Sequence, residues 1–252
     1  MAKVYAIVNA KGGVAKTTST INIGYALYKL GKKVLLIDLD AQANLTSTVG
    51  VKTNELLNIS DALIDGCKIT DIVHNVSGVD LVNSGRTLIE REHTISNSVT
   101  GAVKLKSLLK KIKDGYDYVL IDCPPSLGIY TVSALVACNS VYIPMVAEPY
   151  AWDGLSRLLE TISIIKDEEI NPSIELGGLF FTNNSKNAQT ILGKTIIMEA
   201  KKQLGDKVLK TTIRTNVSLN ESIAVKKNIY DYAPESNGAK DYMRLTKEII
   251  NN

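Results

Sequence analysis

Cysteine, histidine and the bulkiest aromatics are scarce in this chain, and so is any long apolar run. Three cysteines, Cys67, Cys123 and Cys138, stand far apart in 252 residues, which excludes a disulfide scaffold and the close cysteine pairs of structural metal sites. They read as ordinary reduced thiols. The two histidines, His74 and His93, lie outside the motif-bearing stretches, so Cys123 has no base to make it a nucleophile. No apolar stretch approaches the roughly 20 residues that cross a bilayer, and the N-terminus enters a strand almost at once, which leaves no room for a secretion signal. A cytosolic protein is expected. Repeats, low-complexity tracts and Pro/Gly-rich linkers are also absent, and a hydrophobic content of 45% suits a single α/β domain over residues 1–252 with a large core.

What the chain has is alternation. Apolar runs of strand length at Val4–Val8, Val34–Ile37, Val79–Val82, Tyr118–Ile121, Val141–Val146, Leu176–Phe181 and Val208–Thr211 are separated by helical patterns near Thr17–Leu30, Ala102–Lys113, Leu127–Ala137, Trp152–Ile165, Thr190–Leu204 and Ala239–Ile250. Continuous apolar strands imply burial on both faces, and alternation with helices implies a doubly wound, mostly parallel sheet covered on each side. The amphipathic stretch Ala102–Gly115, with its five lysines, reads as one of the covering helices.

The first strand breaks into Lys11-Gly12-Gly13-Val14-Ala15-Lys16-Thr17-Thr18, a glycine-bearing loop that opens a helix. Such a loop aims backbone N–H groups and the positive end of a helix dipole at one point, where a polyphosphate sits. Lys16 is placed to reach the β and γ phosphates, and the Thr17 hydroxyl to ligate Mg²⁺. Relative to G-x-x-x-x-G-K-[ST], the two glycine positions are Ala10 and Ala15. The stretch instead fits K-G-G-x-x-K-[ST], which carries a second lysine at its head.

Two further strands end in carboxylates. VLLIDLD closes on Asp38 and Asp40, and YVLIDCPP closes on Asp122 before Pro124 and Pro125 stop the strand. Ligands of open α/β sheets bind beyond the carboxyl ends of strands. Asp122 there is a Walker B carboxylate that holds Mg²⁺ through water, and Asp40 is the candidate for orienting an attacking water.

These stretches, together with IPMVAEPYAWDGLSRLLETI (Glu148, Ala151, Gly154 and Leu155 at its core) and TIRTNVSLNES, resemble the ParA family of partition ATPases, within the group that also holds MinD and the nitrogenase iron protein. The resemblance runs nearly the whole length. It implies a P-loop NTPase fold of the deviant Walker A type, with ATP and Mg²⁺ as cofactors and Lys11, Lys16 and Asp40 as catalytic residues. Lys11, Gly12, Gly13, Val14, Ala15, Lys16, Thr17 and Thr18 would cradle the phosphates, with Asn183 and Asn216 near the adenine, although Arg214 stands where that segment usually carries proline. Lys11 would cross an ATP sandwich homodimer to the partner's phosphates, and Thr17 and Asp122 would serve the metal.

The resemblance also implies non-specific binding to double-stranded DNA, release by a ParB-type centromere-binding protein that stimulates slow hydrolysis, and a nucleoid-associated location with no membrane partner. Charge is distributed accordingly. Residues 186 to 252 hold 12 Lys+Arg against 7 Asp+Glu, a balance of +5, while the rest of the chain is at −2. Lys186, Lys226, Lys227, Arg244 and Lys247 are the DNA-contact candidates. No helix-turn-helix precedes the first strand, as expected of the short type that lacks an operator-binding domain.

Two alternatives belong to other classes. A MinD-like membrane ATPase would use Tyr242, Leu245 and Ile249 of the last helix as a lipid-facing stripe, though no Phe or Trp strengthens it. A small-molecule ligase resembling dethiobiotin synthetase would need substrate clamps that the sequence does not display.

Overall fold

A computed structural model describes residues 2–52, 57–149, 151–183 and 190–252. Seven strands form one sheet: β1 (Lys3–Ile7), β2 (Val34–Asp38), β3 (Val73–Val76), β4 (Val79–Val82), β5 (Tyr118–Asp122), β6 (Ser140–Val146) and β7 (Glu175–Thr182). Their order is β3-β4-β2-β5-β1-β6-β7. All neighbours are parallel except β3 and β4, which form an antiparallel hairpin at one edge. The mostly parallel doubly wound sheet expected from the alternation is therefore present.

Period-two burial explains the layering. Val4, Ala6 and Val8 face one core with Leu35, Ile37, Val119 and Ile121. Tyr5 and Ile7 face the other with Leu36, Leu120 and Tyr142. Successive strand residues point to opposite faces, so a strand apolar at every position must be covered twice. Helices Ile129–Ala137 and Ala151–Asp167 cover the first face; helices Lys16–Lys29 and Asn237–Asn251 cover the second. Gly24 lets the helix Lys16–Lys29 ride close on β2, because a Cβ there would meet Leu36 Cδ2 at 2.7 Å.

Two expectations need correction, and one strand was missed. Val208–Thr211 is no strand: it touches β7 only through an isolated bridge from Val208 to Leu179, continued by the Leu209 and Ile213 N–H groups. The run lacks a second neighbour, so no ladder propagates. The helix near Ala102–Lys113 is α-helical only over Lys104–Leu109, with 3₁₀ turns on either side. Finally, β3 was not anticipated, because VHNV has no apolar alternation. It pairs with β4 through the turn Ser77-Gly78, in which both residues take positive φ.

Candidate nucleotide site

The sheet register gathers the site. Ile7 at the end of β1 pairs with Asp122 of β5, and Asp122 pairs in turn with Asp38 of β2. Three strands thus end side by side, and their loops share one edge. That edge is the switch point at which doubly wound sheets take ligands.

The loop after β1 is anchored from three directions. Asn9 Nδ2 donates to Pro144 O of β6 at 2.8 Å, and Asn9 Oδ1 accepts from the Lys11 N–H at 2.9 Å. Thr182 Oγ1 at the end of β7 donates to Val14 O at 3.1 Å. Gly13 and Ala15 both stand in the left-handed region, at φ 74° and 68°. For alanine that conformation costs roughly 1–2 kcal/mol, a strain the anchored loop sustains in order to turn its chain into the helix Lys16–Lys29.

Beneath the loop lies a polar cluster. Lys16 is only 7% exposed, and its Nζ donates to Lys11 O at 3.0 Å. Burial lowers its pKa, while the Asp122 carboxylate opposes that shift. Thr17 Oγ1 donates to Asp122 Oδ2 at 2.7 Å, and Thr20 Oγ1 to Asp122 Oδ1 at 3.2 Å. Asp122 and Asp38 are wholly buried. Desolvation raises the pKa of both, Asp38 adding to the shift of Asp122 by repulsion while Thr17, Lys16 and Thr20 oppose it. The donor set of one hydroxyl, one buried carboxylate and one buried lysine below open amides fits Mg²⁺ with a polyphosphate, since Mg²⁺ keeps several waters and takes few protein ligands.

Asp40 sits on the neighbouring loop. Its N–H donates to Asp38 Oδ1 at 3.0 Å, and its Oδ1 accepts from the Gln42 N–H at 2.9 Å. Its Oδ2 takes no hydrogen bond from the described residues. A side network fixes this loop: Asp38 Oδ2 accepts from both the N–H and the hydroxyl of Thr46, Thr46 Oγ1 accepts from the Ser84 N–H, and Ser84 Oγ donates to Asp40 O at 2.7 Å. Lys11, at the head of the phosphate loop, reaches Glu148 Oε2 at 2.7 Å, with both side chains about 40% exposed.

A cavity of about 220 Å³ opens beside the loop. It is lined by Gly13, Ala15 and Thr18 on one side and by Asn183, Arg214 and Asn216 on the other. Asn216 Oδ1 caps the helix Val217–Ala224 by accepting from the Ser218 N–H at 2.9 Å, and Asn183 takes positive φ at the end of β7. Arg214 is clamped to Asp241, its N–H, Nε and Nη2 donating at 3.1, 2.9 and 2.8 Å. This ion pair fills the place where proline was expected.

Gly12, Gly13, Val14, Ala15, Lys16, Thr17 and Thr18 therefore meet Asp122 and Asp40 at one edge, and Asn183 and Asn216 join them across the cavity. Among the basic candidates, Lys226 and Lys227 lie exposed after the helix Val217–Ala224, and Arg244 and Lys247 lie exposed on the last helix; Lys186 lies outside the described residues. Tyr242, Leu245 and Ile249 are buried in the core, so the stripe that a lipid-binding helix would need faces the sheet.

Sequence reasoning missed Thr20, one turn beyond Lys16 on the same helix face, and the Asp241 clamp. It noted Asp38 and Glu148 without giving them partners. Ser84 carried no local signal.

A family model described as an AAA domain matches residues 2–176. Along its whole length the chain is 40% identical to the sporulation initiation inhibitor protein Soj of Bacillus subtilis, covering 100% of both proteins. It is 32% identical to the chromosome partitioning protein ParA of Caulobacter vibrioides, over 98% of this chain and 94% of that one. Among solved structures, cobyrinic acid a,c-diamide synthase from Mycobacterium smegmatis with bound ADP and magnesium superposes with a TM-score of 0.86 at 28% identity, covering 100% of this chain and 95% of that one.

Proposed function

The chain belongs to the Soj/ParA family of partition ATPases, and from that membership we propose an ATP-driven DNA partition switch built on residues 1–252 as one P-loop domain. Two copies close around a pair of nucleotides, the closed dimer binds DNA without sequence preference, and partner-stimulated hydrolysis releases it. The observation that carries this reading is the meeting of Thr17 and Asp122 at 2.7 Å beneath an anchored, amide-rich loop, with Lys16 buried beside them.

Bound Mg²⁺ supplies positive charge to the phosphoryl oxygens. Thr17 and Asp122, whose side chains meet at 2.7 Å, are the residues that would hold that ion, the hydroxyl as a ligand and the carboxylate through water. Lys16, already buried and aimed into the loop, stabilises charge that develops on the phosphates. Gly12 to Thr18 present their N–H groups to the same oxygens, and Asn183 and Asn216 flank the cavity that receives the base. Asp40 keeps one oxygen on the Gln42 N–H and offers Oδ2 to the attacking water. Lys11 leaves Glu148 and crosses to the partner's phosphates, which makes ATP the cement of the dimer.

DNA binding is assigned to the basic C-terminal quarter, where Lys226, Lys227, Arg244 and Lys247 are exposed. Pairing two subunits doubles the phosphate contacts, so dimerisation switches retention on the nucleoid. A ParB-type protein is the proposed stimulating partner. The name of the C. vibrioides relative, a chromosome partitioning protein at 32% identity, supports partition over the small-molecule chemistry named for the 28% identical synthase.

Sedimentation of wild-type and Asp40→Ala protein with ADP or ATP, each with and without random-sequence duplex, tests the reading. The expected result is a dimer only with ATP, DNA retention tied to it, and an Asp40→Ala dimer that stays on DNA without turnover. Normal turnover in Asp40→Ala removes that residue from the mechanism, and an ATP-independent oligomeric state ends the proposal.

A further inference from the structure

The free polar groups that Arg214 and Asn216 bring to the cavity beside the phosphate loop are donors. Arg214 lines that cavity and is 43% exposed, although Asp241 holds its guanidinium through Nε and Nη2 at 2.9 and 2.8 Å. A guanidinium carries five N–H bonds, so three remain here, one on Nη2 and two on Nη1. They take no partner among the described residues. Asn216 has the same bias, because its Oδ1 is already occupied by the Ser218 N–H at 2.9 Å and Nδ2 is what it has left. Asn183 brings both ends of an amide. No carboxylate lines the cavity among the described residues.

The clamp matters as much as the charge. Paired hydrogen bonds to one carboxylate fix the plane of the guanidinium, and the Arg214 backbone N–H ties the chain to the same group at 3.1 Å. Asp241, 1% exposed, cannot swing away to follow a ligand. Donors held in place before a ligand arrives lose little freedom when it binds.

A planar fork of donors matches two acceptors set side by side. A purine with oxygen at C6 presents O6 and N7 in that arrangement, and a guanidinium donates to both; adenine presents N7 beside an amino group, which sets donor against donor. A desolvated donor without an acceptor is costly. Adenine is still accepted, since the amide oxygen of Asn183 can take its amino hydrogens. The 2-amino group that distinguishes guanine from hypoxanthine finds no carboxylate to read it.

We infer that Arg214 is a specificity-determining residue of the base site, its free N–H groups receiving O6 and N7 of a 6-oxopurine, so that this chain binds guanine and hypoxanthine nucleotides beside adenine ones. The inference rests on the reading of this cavity as the base site and deepens it by naming the edge of the base that is read.

Calorimetric titration with the Mg²⁺ complexes of ADP, GDP and IDP tests it, because diphosphates separate base recognition from hydrolysis and dimer closure. Each is measured on wild type, Arg214→Ala and Arg214→Ala/Asp241→Asn, the last of which carries no stranded carboxylate. Loss of the clamp weakens all three nucleotides alike, whereas loss of the fork weakens GDP and IDP further. Wild type should bind GDP and IDP within about tenfold of ADP, and in both variants each ratio to ADP should worsen by about tenfold, the worth of one bidentate contact. Worsening of less than about threefold in either ratio overturns the assignment, as does a wild type that prefers ADP by more than about tenfold; both results leave the ATP switch standing. If none of the three nucleotides binds, the proposed function falls as well.

Discussion

Replacing Arg214 with alanine isolates one interaction whose energetics the structure makes explicit. Asp241 is 1% exposed, while Arg214 is 43% exposed, so the carboxylate has been desolvated and the guanidinium has not. Arg214→Ala removes two charge-assisted hydrogen bonds, at 2.9 and 2.8 Å, and leaves only the backbone N–H at 3.1 Å. Breaking a buried pair costs about 3–5 kcal/mol, but water enters where the half-exposed guanidinium stood, so about 2–3 kcal/mol is expected. For a chain of this size that is a fall of about 5–10 °C in melting temperature. Urea unfolding gives the difference directly, with an unchanged m value. Asp241→Asn in the same background removes the stranded charge and should recover most of the loss. Nucleotide affinity should weaken too, because the clamp holds Arg214 and Asn216 along the cavity wall. A loss under about 1 kcal/mol, or a double variant no better than Arg214→Ala, would refute the claim that Asp241 is a buried charge dependent on its partner.

Other outcomes follow from the same geometry. Glu148→Gln frees Lys11 at a cost of about 0.5 kcal/mol per half-exposed pair, so the ATP-bound dimer, which must break two, should tighten about fivefold; equilibrium sedimentation reads this, and weaker pairing would show that Glu148 assists closure. Asp122→Asn should stabilise the metal-free protein in mildly alkaline buffer. Burial raises the Asp122 pKa, so the native state binds more protons than the unfolded chain and wild-type stability falls as pH climbs above the ordinary carboxylate range. The gap should narrow steadily as pH falls and close only near the ordinary carboxylate pKa, where the unfolded chain is protonated as well, and thermal melts across that range check it; the same variant should lose the extra stabilisation by magnesium nucleotide.

The parts of the site that could be read locally share one property: chemistry and backbone direction coincide within a few residues. Lys11 to Thr18 follow a strand and open a helix, and Asp122 ends a run apolar at every position. The strand Val208–Thr211 and the helix Ala102–Lys113 were misjudged for the complementary reason. Apolar content reports burial, and burial beside β7 or under a 3₁₀ turn looks the same as burial in a ladder or an α-helix.

By itself the sequence determined the alternating architecture, the phosphate loop with its two lysines and the basic balance of the last quarter, because periodicity and short motifs are written along neighbouring residues. Only the tertiary structure decided that Asp38 and Asp122 lie in register, that Lys11 rests on Glu148, and that Asp241 holds Arg214. Those pairings join residues far apart in the chain. Their energies depend on distance and desolvation in space, quantities that exist only once the sheet has brought its strand ends to one edge.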